Sequence, residues 1–432
     1  MNLTFALYRL LARAAAPLAA KRLDRRARDY PALQARRPER HGRVPAGPGG
    51  ELWVHAASAG EVNAAAPLIG QLLARYPGHR IVVSTHTHTG ALRVDALFGD
   101  VGQIRHLFAP LDTPGPVRRW IDRVRPASGL VVETEIWPEM FRACAGRGVP
   151  LALVNARISR RAFGRYRRFR RLFAGALAGV ELALCQSDED GARLEAMGLA
   201  PDRIRVTGNL KFDFALPANL DAEAAALRRQ WGRRLVWVAG STHEGEESAL
   251  LAAHRRVLAA HPEALLVLVP RHPERGERIV QRLTANGLDP ARAEQAVSQR
   301  HSVVVMARMG ILLACYRAAE VCFVGGSLVP GIGGHNLLEP ALCAKPVITG
   351  PFVSDQERIC QALLTAGALI QVADARDLGR AVGELLADPS RALSMGLAGE
   401  RRVHDGRGAL ARTMESLEPV LGKWKQPSGS RR

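Results

Sequence analysis

Lysine is scarce in a chain otherwise rich in cations: of 60 Lys and Arg, set against 41 Asp and Glu, only Lys21, Lys211, Lys345, Lys423 and Lys425 are lysines. Aromatic residues are also few, at 5%, and they do not interleave with the basic runs. Stacking platforms for single-stranded nucleic acid are therefore not evident, and no nucleic-acid partner is expected. The six cysteines form no C-x-x-C pair and mostly lie inside apolar runs, which reads as a reduced core in a cytosolic setting. No G-x-x-x-x-G-K-[ST] occurs and no G-x-G-x-x-G opens the first βαβ unit, so neither a P-loop NTPase nor a dinucleotide oxidoreductase has support. A secretory signal is not expected either, because the basic run KRLDRRAR from Lys21 follows the apolar stretch 1–20 instead of preceding it. Arg9 and Arg13 interrupt that stretch and argue against a clean transmembrane span.

What is present starts with size and charge. The 432 residues, 47% of them hydrophobic, can bury two full cores, and two domains is the working expectation. A net charge of +19 implies an anionic partner, such as acidic lipid headgroups or a phosphorylated substrate. For residues 1–20 two readings stand: an amphipathic segment held against an anionic cytoplasmic leaflet, or a docking helix for the globular body.

From residue 51 short apolar β-rich runs alternate with helical patterns. ELWVHA, RIVVST, IRHLFAP, GLVVE, LALVN, ELALCQS and IRVTG are predicted strands up to residue 208, with helical stretches such as 62–76, 138–147 and 159–177 between them. After the polar stretch 212–221 the alternation restarts with LVWVAG, ALLVLVP, SVVVM, EVCFVG, PVIT and ALIQV. Strands alternating with helices predict mostly parallel sheets, here two doubly wound halves with a cleft facing the carboxyl ends of the strands.

The loops at those strand ends carry the candidate chemistry. Ser58, Ala59, Gly60 and Glu61 spell S-x-x-E before an apolar run, which is a capping box, yet a carboxylate at such a corner is also placed to act as a catalytic base. Glu133 and Glu135 follow another strand, where carboxylates need either solvent or a cationic partner, and Lys211 is the candidate cation. In the second half, 239–247 offers exposed amides, Arg271 stands where its guanidinium can fork onto a phosphate, and the glycine-rich loop 323–340 leads into a helix whose first turns are expected to hold His335, Asn336 and Glu339. Each loop alone reads equally as an ordinary capped βα connection. Asp188-Glu189-Asp190 is a D-x-D that could bind a divalent metal but reads more simply as an acidic first turn.

HAASAGEV, ETEIWPE, NARIS, GNLKFD, STHEGEE, VPRHPER and GGHNLLEP resemble, in order, the motifs of the 3-deoxy-D-manno-octulosonic acid (Kdo) transferases of lipopolysaccharide assembly. The resemblance implies an α/β GT-B glycosyltransferase with two Rossmann-like domains facing a central cleft, moving Kdo with inversion from CMP-Kdo to the lipid A precursor, with no metal and no cofactor. It also implies anionic inner-membrane lipids as partners, at the cytoplasmic face. Glu61 would be the base, with Glu133 and Lys211 supporting the transition state. Pro270, Arg271, Met309, Gly310, Ile311, Asn336, Leu337, Leu338 and Glu339 fall on the nucleotide-binding segments. Ile311 stands where the family commonly has an acidic residue, Leu337 where it has proline, and the loop before GGHN carries an extra residue near Gly331. The expected organisation is a membrane-associating segment 1–30, an acceptor-binding domain 31–212, a linker 213–222, a CMP-Kdo-binding domain 223–420 and a basic tail 421–432.

Overall fold

Valine, isoleucine and leucine runs bounded by turn residues form strands at every position read above as a strand. The structure, a computed structural model, describes residues 3–26, 30–133, 135–214, 216–293, 295–422 and 424. It divides into two units: residues 1–214 with 406–432, and residues 215–405.

In the first unit β1 (Leu52–His55), β2 (Ile81–Thr85), β3 (Ile104–Phe108), β4 (Ser128–Val132), β5 (Leu151–Ala156), β6 (Val180–Cys185) and β7 (Ile204–Val206) form one sheet in the order β3-β2-β1-β4-β5-β6-β7. Every pairing in it is parallel. Because side chains alternate along a strand, Leu52, Val54, Leu130 and Val154 pack on one face with Leu68 and Ile69. Trp53, Val131 and Leu153 pack on the other with Trp120 and Phe141. Covering both faces of a parallel sheet is what makes its strands apolar throughout.

The second unit repeats the plan with β8 (Val236–Thr242), β9 (Leu265–Pro270), β10 (Ala291–Arg292), β11 (Val303–Val305), β12 (Val321–Val324), β13 (Val347–Thr349) and β14 (Leu369–Gln371). Their order is β10-β11-β9-β8-β12-β13-β14, again all parallel. β10 escaped the sequence reading because two residues at a sheet edge are too few to show a period.

Two expected boundaries are corrected. Residues 406–420 were assigned to the second domain, but the chain returns to the first unit at Gly406. The Asp213 carboxylate accepts Gly408 N and Leu410 N, each at 2.6 Å, at the start of the helix Ala409–Ser416. Ser128 Oγ donates to Val420 O at 2.7 Å. Leu417, Val420, Leu421 and Trp424 are buried with Leu52 and Leu72, so the expected basic tail starts inside the core. Trp424 meets Tyr76 and His79 edge-on, with centroids 5.2 and 4.8 Å apart. Residue 423 and residues 425–432 lie outside the described residues. The linker is also shorter than 213–222, because a 3-10 turn runs through Asp213 and the next helix starts at Leu220.

The N-terminal segment forms one helix, Leu3–Arg26. Phe5 is buried, Tyr8 Oη donates to Asp112 Oδ2 at 2.5 Å, and Arg9 forks onto Glu139 at 2.7 and 2.6 Å. Docking therefore holds for one side of the helix. Leu3, Leu7, Leu10, Leu11 and Leu18 recur three, four or seven residues apart on another face and are exposed, Leu3 by 84% and Leu18 by 75%.

Trp424→Ala should destabilise the first unit by about 3–5 kcal/mol, the usual cost of truncating a buried tryptophan, seen as a lower urea midpoint at unchanged slope. An unchanged midpoint would mean that the C-terminal return contributes nothing to this core.

Candidate active site

Strand order in the first sheet reverses between β1 and β4, so the loops leaving these neighbours diverge and open a crevice at their carboxyl ends. Glu61 and Glu133 follow those two strands. Ser58 caps the helix Ala59–Arg75, with Ser58 N donating to Glu61 Oε2 at 2.7 Å and Ser58 Oγ accepting Glu61 N at 3.4 Å. The capping box is thus real. Glu61 is nonetheless only 8% exposed, and burial, reinforced by Glu135 and Glu133, pushes its carboxyl up to about 8. Desolvation and two neighbouring carboxylates outweigh the bonds from Ser58, which act to lower it.

Glu133 sits at φ +61°, a left-handed conformation costing a non-glycine residue about 1–3 kcal/mol. Its Oε1 lies 3.1 Å from Lys211 Nζ, an ion pair whose angles fall outside hydrogen-bond geometry. Lys211 is brought there by Asn155, itself at φ +53° near the end of β5, whose Oδ1 accepts Leu210 N at 3.0 Å. Asn209 Oδ1 accepts Lys211 N at 3.0 Å and starts the 3-10 turn. The structure therefore gathers Glu61, Glu133 and Lys211 as expected. It adds Asn155, which the sequence offered only as part of NARIS.

The same strand ends carry a histidine pair. His55 is buried, shares a 2.8 Å hydrogen bond with Ser84 Oγ through Nδ1, and has a partnerless Nε2. Burial holds its ring down at about 4, and His86 lies well below its ordinary value for the same reason. Together with Glu135 they form a set whose ligand atoms lie within 4.8 Å of one another, so this is where a divalent cation could be held. Asp188 to Asp190 is the acidic first turn of the helix Asp188–Ala196: Asp190 is buried and accepts Ile158 N at 2.8 Å, and Arg193 pairs with Glu189.

In the second unit the order reverses between β8 and β12. Glu246, fully buried, accepts His243 N at 2.8 Å and the amides of Gly326, Ser327 and Leu328 at 2.8, 3.0 and 2.9 Å. Two amides of the 239–247 loop expected to hold phosphate are therefore already taken, His243 N by Glu246 and Gly245 N by Glu247. The His243 and His335 rings stack at 4.9 Å with their Nε2 atoms 2.7 Å apart. Burial and the neighbouring His243 and Arg271 hold His335 down at about 3, so the pair shares its contact as neutral rings. Sequence reasoning passed over Glu246, although an acidic residue three positions after His243 was a capping signal.

Arg271 is exposed at the end of β9, its amide donating to Thr242 O at 3.0 Å. Its guanidinium has no carboxylate partner among the described residues. Asn336 Oδ1 accepts Leu338 N at 3.1 Å and its Nδ2 donates to Glu339 Oε1 at 3.2 Å. The helix begins only at Leu338, so His335 is not in its first turn as expected. Pro270, Ile311, Leu337 and Leu338 are buried, which leaves their backbone alone for a ligand, whereas Met309 is 70% exposed and Gly310 has φ +81°.

Glu61 also ties stability to pH. Between its ordinary 4.5 and about 8 the folded protein keeps a proton that the unfolded chain has released, so folding stability falls as pH rises through that window. Urea titrations from pH 4 to 9 should show the wild type losing stability relative to Glu61→Gln across it. Parallel curves would mean that Glu61 is not held protonated.

The chain is similar to known proteins over most of its length. The family model for 3-deoxy-D-manno-octulosonic-acid transferase matches residues 26–214. A 3-deoxy-D-manno-octulosonic acid transferase of Haemophilus influenzae is 36% identical over 374 residues, covering 86% of this chain and 87% of that protein. That of Bordetella pertussis is 37% identical over 392 residues, covering 88% and 90%. Among solved structures, the UDP-GlcNAc 2-epimerase of Neisseria meningitidis bound to UDP-GlcNAc superposes with a TM-score of 0.56 at 14% identity, over 85% of this chain and 100% of that one. That likeness carries the two-unit GT-B fold alone. On the relatives' identity across most of its length, the chain belongs to the 3-deoxy-D-manno-octulosonic acid transferases.

Proposed function

We propose that this Kdo transferase moves Kdo from CMP-Kdo to a lipid A-type acceptor with inversion, and that Glu61 is the base. The supporting observation is a buried glutamate at the β1/β4 reversal, pushed up to about 8 beside the Glu133–Lys211 ion pair. A base titrating near the working pH combines an adequate carboxylate fraction with adequate basicity. Glu61 takes the proton of the attacking acceptor hydroxyl as that oxygen bonds to the anomeric carbon of Kdo. The bond from that carbon to the CMP phosphate oxygen breaks, and its electron pair leaves on the phosphate. Lys211 pairs with Glu133 and supplies positive charge beside the base, and Arg271 is the proposed contact for the donor's phosphate. The residues named take acid–base and electrostatic roles, so the transfer runs without a metal or cofactor.

The acceptor's lipid character fits the N-terminal helix. Among the described residues Leu3–Arg25 is the one stretch long and apolar enough to cross a membrane, with mean hydropathy 1.2 and 6% of it buried. Because Tyr8 and Arg9 fasten one side to the body, the helix lies along the cytoplasmic face of the inner membrane with its leucines inserted.

Glu61→Gln preserves the capping box, since glutamine is also accepted there, but cannot take a proton. Assayed in EDTA with CMP-Kdo and lipid A precursor, the variant should lose about 10²–10⁴-fold in kcat, while the wild type keeps full turnover. Normal turnover in the variant would return Glu61 to a purely structural role, and loss of wild-type turnover in EDTA would assign a metal to the His55, His86 and Glu135 set.

Arg271→Ala should raise KM for CMP-Kdo about tenfold or more, with acceptor KM nearly unchanged, because a charge-assisted contact contributes about 1.5–3 kcal/mol. CMP should compete with the donor and UDP should not. A variant altered only in acceptor kinetics would remove Arg271 from the donor site.

A further inference from the structure

A cavity of about 500 Å³ lies between the N-terminal helix and the body of the first unit. Arg9 and Arg13 enter it from the helix, Arg118 from the helix Pro114–Val124, and Arg142 and Arg147 from the helix Pro138–Ala145 and the turn after it. Its one acidic lining residue, Glu139, is fully engaged by the fork of Arg9. Arg147 pairs outward with Asp122. Arg13, Arg118 and Arg142 have no carboxylate partner among the described residues, and Arg142 instead lies 4.5 Å from the centroid of the Phe5 ring. Elsewhere in this unit some arginines are paired with carboxylates, as Arg36 is with Glu39 and Arg105 with Glu51.

We propose that this cavity is a binding site for the phosphate of an anionic phospholipid headgroup. Three uncompensated guanidiniums converging on one space repel one another, and a phosphate both removes that repulsion and offers oxygens matched to the guanidinium fork. The lipid source follows from the same helix. Arg13 stands between the exposed Leu10, Leu11 and Leu18, so a phosphate at Arg13 sits at the level where these leucines would enter the acyl region. The site rests on the reading that the helix lies on the leaflet, and adds to it a discrete headgroup pocket in place of a diffuse basic surface.

The test uses the full-length protein and an Arg118→Ala/Arg142→Ala double variant, with Arg376→Ala/Arg401→Ala removing the same charge from exposed positions of the second unit. Flotation with phosphatidylglycerol and phosphatidylcholine vesicles at 0.15 M salt is combined with phosphate titration followed by phosphorus NMR. The wild type and the control pair should prefer phosphatidylglycerol by about tenfold or more and bind phosphate saturably. The pocket variant should lose both, with its melting temperature and its binding to phosphatidylcholine intact. Saturable phosphate binding without any vesicle binding would keep the pocket and discard the membrane reading. Equal losses in the pocket and control variants would overturn the pocket, leaving net charge as the cause. A raised acceptor KM with an unchanged vesicle preference would overturn it too, reassigning these arginines to the acceptor's own phosphate.

Discussion

The candidate site depends on one topological constraint: in each parallel sheet the chain reverses direction of travel between two adjacent strands, β1 and β4 in the first unit and β8 and β12 in the second. Loops leaving such neighbours run to opposite sides of the sheet and open a crevice in which side chains from distant segments meet. Both reversals are occupied by buried carboxylates. In the second unit Glu246 is satisfied by four backbone amides and becomes a rivet, fastening the glycine-rich loop to the loop after β8. In the first unit Glu61 receives its bonds from Ser58 alone, and burial beside two further carboxylates keeps it poised to exchange a proton. The same residue type is fully satisfied in one place and left with a raised proton affinity in the other because of how many donors reach it and how many carboxylates stand beside it.

Capping at Glu61 is therefore compatible with the proposed role as base. The box orients the carboxylate and sets the helix start, and desolvation raises its proton affinity into the useful range. Strain serves the same end nearby. Glu133 and Asn155 both occupy left-handed backbone at neighbouring strand ends, and between them they aim one carboxylate and hold the turn that presents Lys211. A chain that uses arginine almost everywhere keeps lysine here, where a compact ammonium fits against Glu133.

Much of the fold was legible because parallel strands buried on both faces must be apolar along their whole length, and thirteen such runs stand out between turn residues. β10 did not, since its two residues have no pattern to show. The candidate residues were legible as motifs in order: Glu61, Glu133 and Lys211, which the structure brings together in the first unit, and Arg271 in the second. It was not legible that Glu246 would take the amides of Gly326, Ser327 and Leu328, nor that the His335 ring would stack on His243 ahead of the helix, since both follow from contacts across about 80 to 90 residues.

The sequence by itself determined the two α/β units, the family and the residue types at each strand end, because periodicity and local turn chemistry act over a few residues and leave their mark in the order of letters. Only the tertiary structure decided that the chain crosses back at Gly406 to seal the first core with Trp424, and that Glu61 is lifted to about 8. It likewise decided that Arg13, Arg118 and Arg142 surround one cavity. Burial and charge proximity are sums over neighbours from remote segments, and no local window of sequence contains them.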